Sequence, residues 1–213
     1  MPYHGKILVG LTGNIACGKS TVLRRMRELG ATTIDADRMV HAILRKGGPA
    51  YAPVVAEFGE SILDKDDEID RRALGKVVFS DPAKLLTLEE IEHPIVRNLI
   101  EEEIKEAPER IVALDAIKLI ESGWADRCDA VWVVTCTGDQ QIERLMRTRH
   151  FSREDAELRV NAQSPQQDKV ARADVVIDNS GSLELTFRQA TDAFAALLSK
   201  FPLKSGPKSG EAR

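Results

Sequence analysis

One stretch constrains this chain more than any other: GNIACGKST, Gly13 to Thr21. It matches G-x-x-x-x-G-K-S/T directly after the apolar run KILVGLTG and directly before the helical pattern STVLRRMREL. A strand, a glycine-bearing loop and a helix in that order form a cradle for phosphate. Glycines let the backbone curl so that successive N–H groups point inward, and the helix N-terminus adds orphan donors and a favourable dipole. Asn14, Ile15, Ala16, Cys17, Gly18, Lys19, Ser20 and Thr21 are therefore candidate nucleotide-binding residues. Lys19 suits the β and γ phosphates, and the Ser20 hydroxyl suits a magnesium ion carried with ATP. Cys17 admits two readings, a thiol activated by the helix N-terminus or a small loop residue.

A phosphate loop of this kind needs a parallel sheet behind it, and the rest of the sequence supplies one. Short apolar or β-branched runs recur at Lys6–Leu11, Ala31–Ile34, Arg110–Leu114, Ala130–Thr135 and Asp174–Ile177, separated by longer helical patterns. Strands apolar on both faces require helices on both sides, and parallel neighbours require crossovers. The expected fold is α/β, a doubly wound parallel five-stranded sheet, with the first helix beginning near Lys19. Between the second and third runs lies a stretch of roughly 75 residues with helical periodicity, far longer than a simple βα connection. It reads as a helical subdomain. A second excursion, ERLMRTRHFSREDAELRVNAQ, is rich in arginine, has a helix start at Ser152, and sits where a lid would. The expected organisation is one domain, 1–201, with core segments 5–37, 109–138 and 172–201, an acceptor subdomain at 38–108 and a lid at 139–171. The ending PLKSGPKSGEAR has almost nothing to bury, so 202–213 is expected to be a disordered tail.

Composition narrows the partners. Charged residues make up 30% and the net charge is -4, which offers no broad basic face, so nucleic acid is not an expected partner. No apolar run is long enough to span a bilayer, and the N-terminus enters a strand without signal-peptide regions; the expected location is the cytoplasm, with no membrane partner. Cys17, Cys128 and Cys136 lack CxxC spacing, and His4, His41, His93 and His150 lack two-ligand spacing, which disfavours disulfides and transition metals.

The acceptor side must decide among the many uses of such a loop. The second strand ends in IDAD, placing Asp35 and Asp37 at the carboxyl edge of the sheet, where ligands bind in open α/β folds. A phosphate acceptor needs positive charge there, whereas an alcohol profits from a carboxylate that orients it and takes its proton. On an extended segment both would face the site, with Asp37 further beyond the edge and so nearer the acceptor. Asp37 also reads as an N-cap for RMVHAILR, a role compatible with catalysis.

Taken together these segments resemble the dephospho-CoA kinase family, a P-loop family, over nearly the whole chain except the tail. GLTGNIACGKST resembles its first strand and loop, and IDAD its aspartate signature. DRRALGKVVF at 70–79 resembles its arginine-leucine-phenylalanine helix, and EHP at 92–94 its His-Pro dipeptide, read here as ending a helix turn. QQIERLM, Gln163 and ADVVIDNSGSLE resemble the lid entry, the lid's closing glutamine, and the last strand with its adenine-side loop. The resemblance implies transfer of the ATP γ-phosphoryl group to the ribose 3′-hydroxyl of dephospho-CoA, with Mg²⁺. It implies Asp37 as general base, Lys19 as phosphate clamp, and Arg144 and Arg149 as lid arginines. Asn179 would belong to the ATP site, and Arg71, His93 and Glu121 would join Asp37 on the acceptor side. The chain departs from the family pattern at Ala16 and Cys17, where Gly-Ser is usual, and at Thr148, where arginine is usual. It departs again at Lys118, a charge in a normally apolar strand exit. Thr148 leaves open which of Arg144, Arg147 and Arg149 reaches the phosphates. Other readings are a kinase for a nucleoside monophosphate or for another alcohol such as shikimate, and a GTPase-like switch. The switch lacks its guanine-reading N/T-K-x-D pattern.

Overall fold

The computed structural model describes Tyr3 and residues 5–202; of the expected tail, all but Pro202 lies outside these residues, as does His4. Five strands, β1 (Ile7–Thr12), β2 (Ala31–Asp35), β3 (Ile111–Asp115), β4 (Ala130–Thr135) and β5 (Val175–Asp178), form one parallel sheet in the order β2-β3-β1-β4-β5. Each lies within one residue of its expected run. β1 is buried along its whole length, so its two sets of alternate side chains serve two cores. Ile7, Val9 and Leu11 pack with Val22 and Met26 and with Phe194, while Leu8 packs on the other face with Ile34, Leu114 and Ile100.

Helices cover both faces. α1 (Lys19–Glu28) follows β1 and packs on α9 (Leu183–Lys200). Between β2 and β3 come α2 (Ala36–Ile43), α3 (Tyr51–Phe58), α4 (Arg71–Phe79) and α5 (Pro82–Glu106). Between β4 and β5 come α6 (Gly138–Arg149), α7 (Arg153–Asn161) and α8 (Gln166–Val170). The starts follow cap chemistry. Asp70, Asp81 and Ser152 each accept from backbone N–H groups of α4, α5 and α7, and Thr137 with Gln140 forms a reciprocal capping box on α6. The EHP segment does not end a helix turn as expected. α5 runs through Pro94, forgoing the bond to the Glu90 carbonyl, because its flanks are held by packing on α2 and α4.

The register sets the site. Leu11 of β1 pairs with Asp115 of β3, and Asp115 pairs with Asp35 of β2, so three strands reach their carboxyl ends at one level. The phosphate loop leaves β1 at that same edge. Among the described residues no helix is long and apolar enough to cross a membrane.

Candidate active site

The loop between β1 and α1 is held by close backbone approach. A Cβ at Gly13 would stand 2.4 Å from the Val134 carbonyl oxygen, and Gly18, at φ 95°, would place one 2.0 Å from Asn179 Nδ2. Only glycine fits either position. Ala16 adopts φ 58°, left-handed backbone that a side chain disfavours.

Side chains from distant segments brace this loop. Asn179, following β5, donates from Nδ2 to the Cys17 carbonyl at 2.7 Å and accepts the Thr186 hydroxyl at 2.8 Å. Arg144 of α6 donates to the carbonyls of Ala16 at 3.2 Å, Cys17 at 3.3 Å and Asn179 at 2.8 Å. From the expected lid, Gln163 Oε1 accepts the Ile15 N–H at 2.6 Å, and the Ser164 carbonyl accepts Asn14 Nδ2 at 3.1 Å. Arg144 and Asn179 therefore meet the loop through its backbone carbonyls. Arg147 and Arg149 are exposed at the end of α6, and among the described residues no hydrogen bond joins Arg149 to the loop. Cys17 is fully buried beneath the loop. Its thiol is drawn down to about 7, chiefly by the neighbouring Cys136 thiol, which outweighs burial. Its burial in the apolar layer favours the packing reading over that of an exposed nucleophile.

On the acceptor side the two aspartates of IDAD part company. The helix starts one residue earlier than the extended reading requires: α2 begins at Ala36, so Asp37 lies in its first turn rather than on a strand extension. Asp35, not Asp37, is the N-cap, accepting the Arg38 N–H at 2.9 Å. Asp37 turns to the end of β3, where Oδ2 accepts the Ile117 N–H at 3.3 Å. Burial raises the Asp37 carboxyl above its ordinary value, opposed by the Ile117 donor and the Lys19 charge.

The carboxylate nearest Lys19 is one the sequence reading did not single out. Asp115 Oδ1 lies 3.7 Å from Lys19 Nζ, both side chains largely shielded from solvent. That oxygen has no hydrogen-bond partner, and burial pushes the carboxyl up to about 6 against the pull of Lys19. A signal for Asp115 existed, since it follows the third apolar run as Asp35 follows the second. Ser20, on the first turn of α1, is exposed. Among the described residues no three His, Cys, Asp or Glu side chains cluster as a metal cage. A magnesium site built from one hydroxyl and nucleotide phosphates fits that donor set.

Beside Asp37 opens a cavity of about 520 Å³ roofed by α2, α4 and α5. Its walls are largely apolar, with Val40, Leu74, Val78, Leu88, Val96 and Ile100, and its polar members include Asp37, His41, Arg71, Glu89, Glu92, His93, Arg97 and Lys118. Arg71 and His93 both line it. Lys118 points to this cavity rather than into the sheet, its ammonium exposed and 3.9 Å from Glu89. Burial and the neighbouring Glu89 push Glu92 up to about 7. Glu121 does not line this cavity; it pairs with Lys169 at 2.9 Å.

A loop of this form grips nucleotide phosphates, and the Asp37 carboxylate, within the field of its lysine, opens on a largely apolar cavity. The class that fold and site define together is the P-loop kinases. The comparisons with known proteins narrow the class. The family model described as dephospho-CoA kinase matches residues 7–184. A dephospho-CoA kinase from Carboxydothermus hydrogenoformans is 47% identical over 185 residues, covering 85% of this chain and 90% of the relative. A solved structure of a Thermus thermophilus protein superposes with TM-score 0.79 at 34% identity, covering 91% of this chain and 98% of that one. The dephospho-CoA kinase structure from Campylobacter jejuni gives TM-score 0.65 at 27% identity, with the same coverage. This chain belongs to the dephospho-CoA kinase family.

Proposed function

We propose that the chain carries out its family's reaction, transfer of the ATP γ-phosphoryl group to the ribose 3′-hydroxyl of dephospho-CoA, with Asp37 as the general base. The observation that carries this assignment is the position of Asp37, on the rim of the apolar cavity and within the field of Lys19. The hydroxyl oxygen attacks the γ-phosphorus, its proton passes to the Asp37 carboxylate, and the bond from the γ-phosphorus to the bridging oxygen breaks to release ADP. Lys19 stabilises charge on the transferring oxygens in a site largely shielded from water. Burial raises the Asp37 carboxyl toward the working pH, where a base transfers protons well. Magnesium, held by the Ser20 hydroxyl and the phosphates, would neutralise charge on the nucleotide.

The cavity supports a large, partly apolar acceptor. Its aliphatic walls suit the uncharged arm of dephospho-CoA, and Arg71, His93 and Lys118 suit its phosphates. Segment 38–108 acts in this reading as the acceptor subdomain, 139–171 as the lid, and 5–37, 109–138 and 172–201 as the core. Arg144 and Asn179 support the nucleotide loop from outside, while Arg149 is free to reach the phosphates on lid closure. A cytoplasmic location is part of this reading.

The test is phosphoryl transfer from ATP to dephospho-CoA, AMP, shikimate or water by the wild type and by Asp37→Asn. Dephospho-CoA should be the preferred acceptor. Asp37→Asn should lose about a hundredfold to ten-thousandfold in turnover, the usual span for a general base, with the KM for ATP nearly unchanged. Retention of more than about a third of wild-type turnover, far above that span, would remove Asp37 from the chemistry.

A further inference from the structure

Lys169 belongs to no motif, yet it is the only lysine among the described residues that is buried, 4% exposed on α8. An ammonium is removed from water only where its partners require it there. Its ion-pair partner Glu121, at 2.9 Å, is itself 46% exposed and would have paired equally well with a surface lysine. The contact that burial secures is the other one: Nζ donates to the Ile117 carbonyl at 3.0 Å.

Ile117 lies two residues beyond the end of β3, where no ladder holds the backbone. Its carbonyl accepts both Lys169 Nζ and the hydroxyl of the fully buried Thr12, each at 3.0 Å. Its N–H is the donor to Asp37 Oδ2. The N–H and carbonyl of Ile117 lie in adjacent peptide planes joined at one Cα, so two anchors on the carbonyl, with the bond to Asp37 on the other side, restrict where that N–H can point. The stretch from Gln163 to Lys169 thus touches both halves of the site, the phosphate loop through the Ile15 N–H and the acceptor carboxylate through Ile117.

We propose that Lys169 is the positioning residue of the acceptor carboxylate, holding Ile117 so that its N–H orients Asp37 toward the incoming hydroxyl. This rests on the reading of Asp37 as the base, and its consequences are separable from that reading. The groups that face Asp37 are Lys19 of α1, Asp35 at the end of β2, His41 of α2 and Asp115 at the end of β3, together with the Ile117 N–H. Lys169 acts on Asp37 only through Ile117.

The experiment compares kcat, the KM for ATP and the acid limb of kcat in the wild type, Lys169→Met, Lys169→Arg, Asp37→Asn and the double variant Asp37→Asn/Lys169→Met. Lys169→Met keeps an apolar stem in a buried site and should lower kcat by about ten- to a hundredfold, the range for a misplaced catalytic group, with the KM for ATP unchanged. Loss of a firm Ile117 donor should move the acid limb up, because that donor opposes the upward shift of Asp37. In the Asp37→Asn background the same substitution should cost less than about threefold, since its effect passes through the missing carboxylate. Lys169→Arg keeps a cation and donors and should recover part of both kcat and the acid limb; it also carries the test if Lys169→Met does not fold. Full additivity of the two substitutions, or a fall in kcat with the acid limb unmoved and no gain in Lys169→Arg, overturns the proposal. If Asp37→Asn alone keeps wild-type turnover, the base assignment fails instead.

Discussion

At the residue scale the phosphate loop is built on backbone, and one side chain in it works against the fold. Ala16 sits at φ 58°, where the family resemblance leads one to expect glycine. Left-handed backbone costs a residue with a Cβ about 1 kcal/mol, partly offset because alanine has the smaller unfolded-state entropy. Ala16→Gly should therefore stabilise the protein by about 0.5 kcal/mol and raise its melting temperature by roughly 1–2 °C for a domain of this size. A lower melting temperature would mean that the methyl group makes a packing contact worth more than the strain. The opposite change is costly nearby, since any side chain at Gly18 meets Asn179, which ties the loop to the last strand.

At the scale of elements, the start of α2 decides what the two aspartates of IDAD do. An extended segment would set both on one face; the helix begins at Ala36 and sends them in different directions. Asp35 closes the helix, and Asp37 rides on its first turn beside the end of β3. Asp35→Ala removes the cap and should cost about 1 kcal/mol in stability, lowering kcat as the first turn frays under Asp37. Asp35→Asn caps as well as aspartate and should keep that stability. It should also move the acid limb of kcat slightly down, because the Asp35 charge helps to raise Asp37. Denaturant unfolding and pH profiles of the two variants check both points; equal losses in both would show that the charge, not the cap, is what α2 needs.

At the scale of the whole molecule, the crevice stores carboxyls that the free protein holds at a cost. Asp37, Asp115 and Glu92 all stand above their ordinary values, Asp115 at about 6 and Glu92 at about 7, each chiefly through burial. A carboxyl whose folded value is raised binds more protons folded than unfolded, so it lowers stability as pH climbs from its unfolded to its folded value and leaves the penalty in place above that. For these groups the window runs from about 4 to about 7. Asp115→Asn should accordingly be more stable than the wild type near pH 8, by on the order of 2 kcal/mol, and the gap should narrow as pH falls and close near pH 4 or below. Its turnover should fall at the same time, as Lys19 loses its counter-charge. Calorimetry across that range tests the sign; a variant less stable than wild type at pH 8 would mean that Lys19 needs Asp115 more than burial opposes it.

The sequence alone determined what is local or periodic. A phosphate is gripped by N–H groups of consecutive residues, so Gly13–Thr21 carried its chemistry in one unbroken stretch, and strands buried on both faces announced themselves as apolar runs. Tertiary structure decided whatever depends on partners far apart in the chain. Asp115 became the neighbour of Lys19 through strand register, and Arg144 and Asn179 reached the loop across more than a hundred residues. The division of labour between Asp35 and Asp37 turned on where one helix begins. Lys169 left no trace in composition or spacing, because burial and hydrogen bonding depend on what surrounds a side chain, and only folding brings Ile117, Thr12 and Asp37 to it.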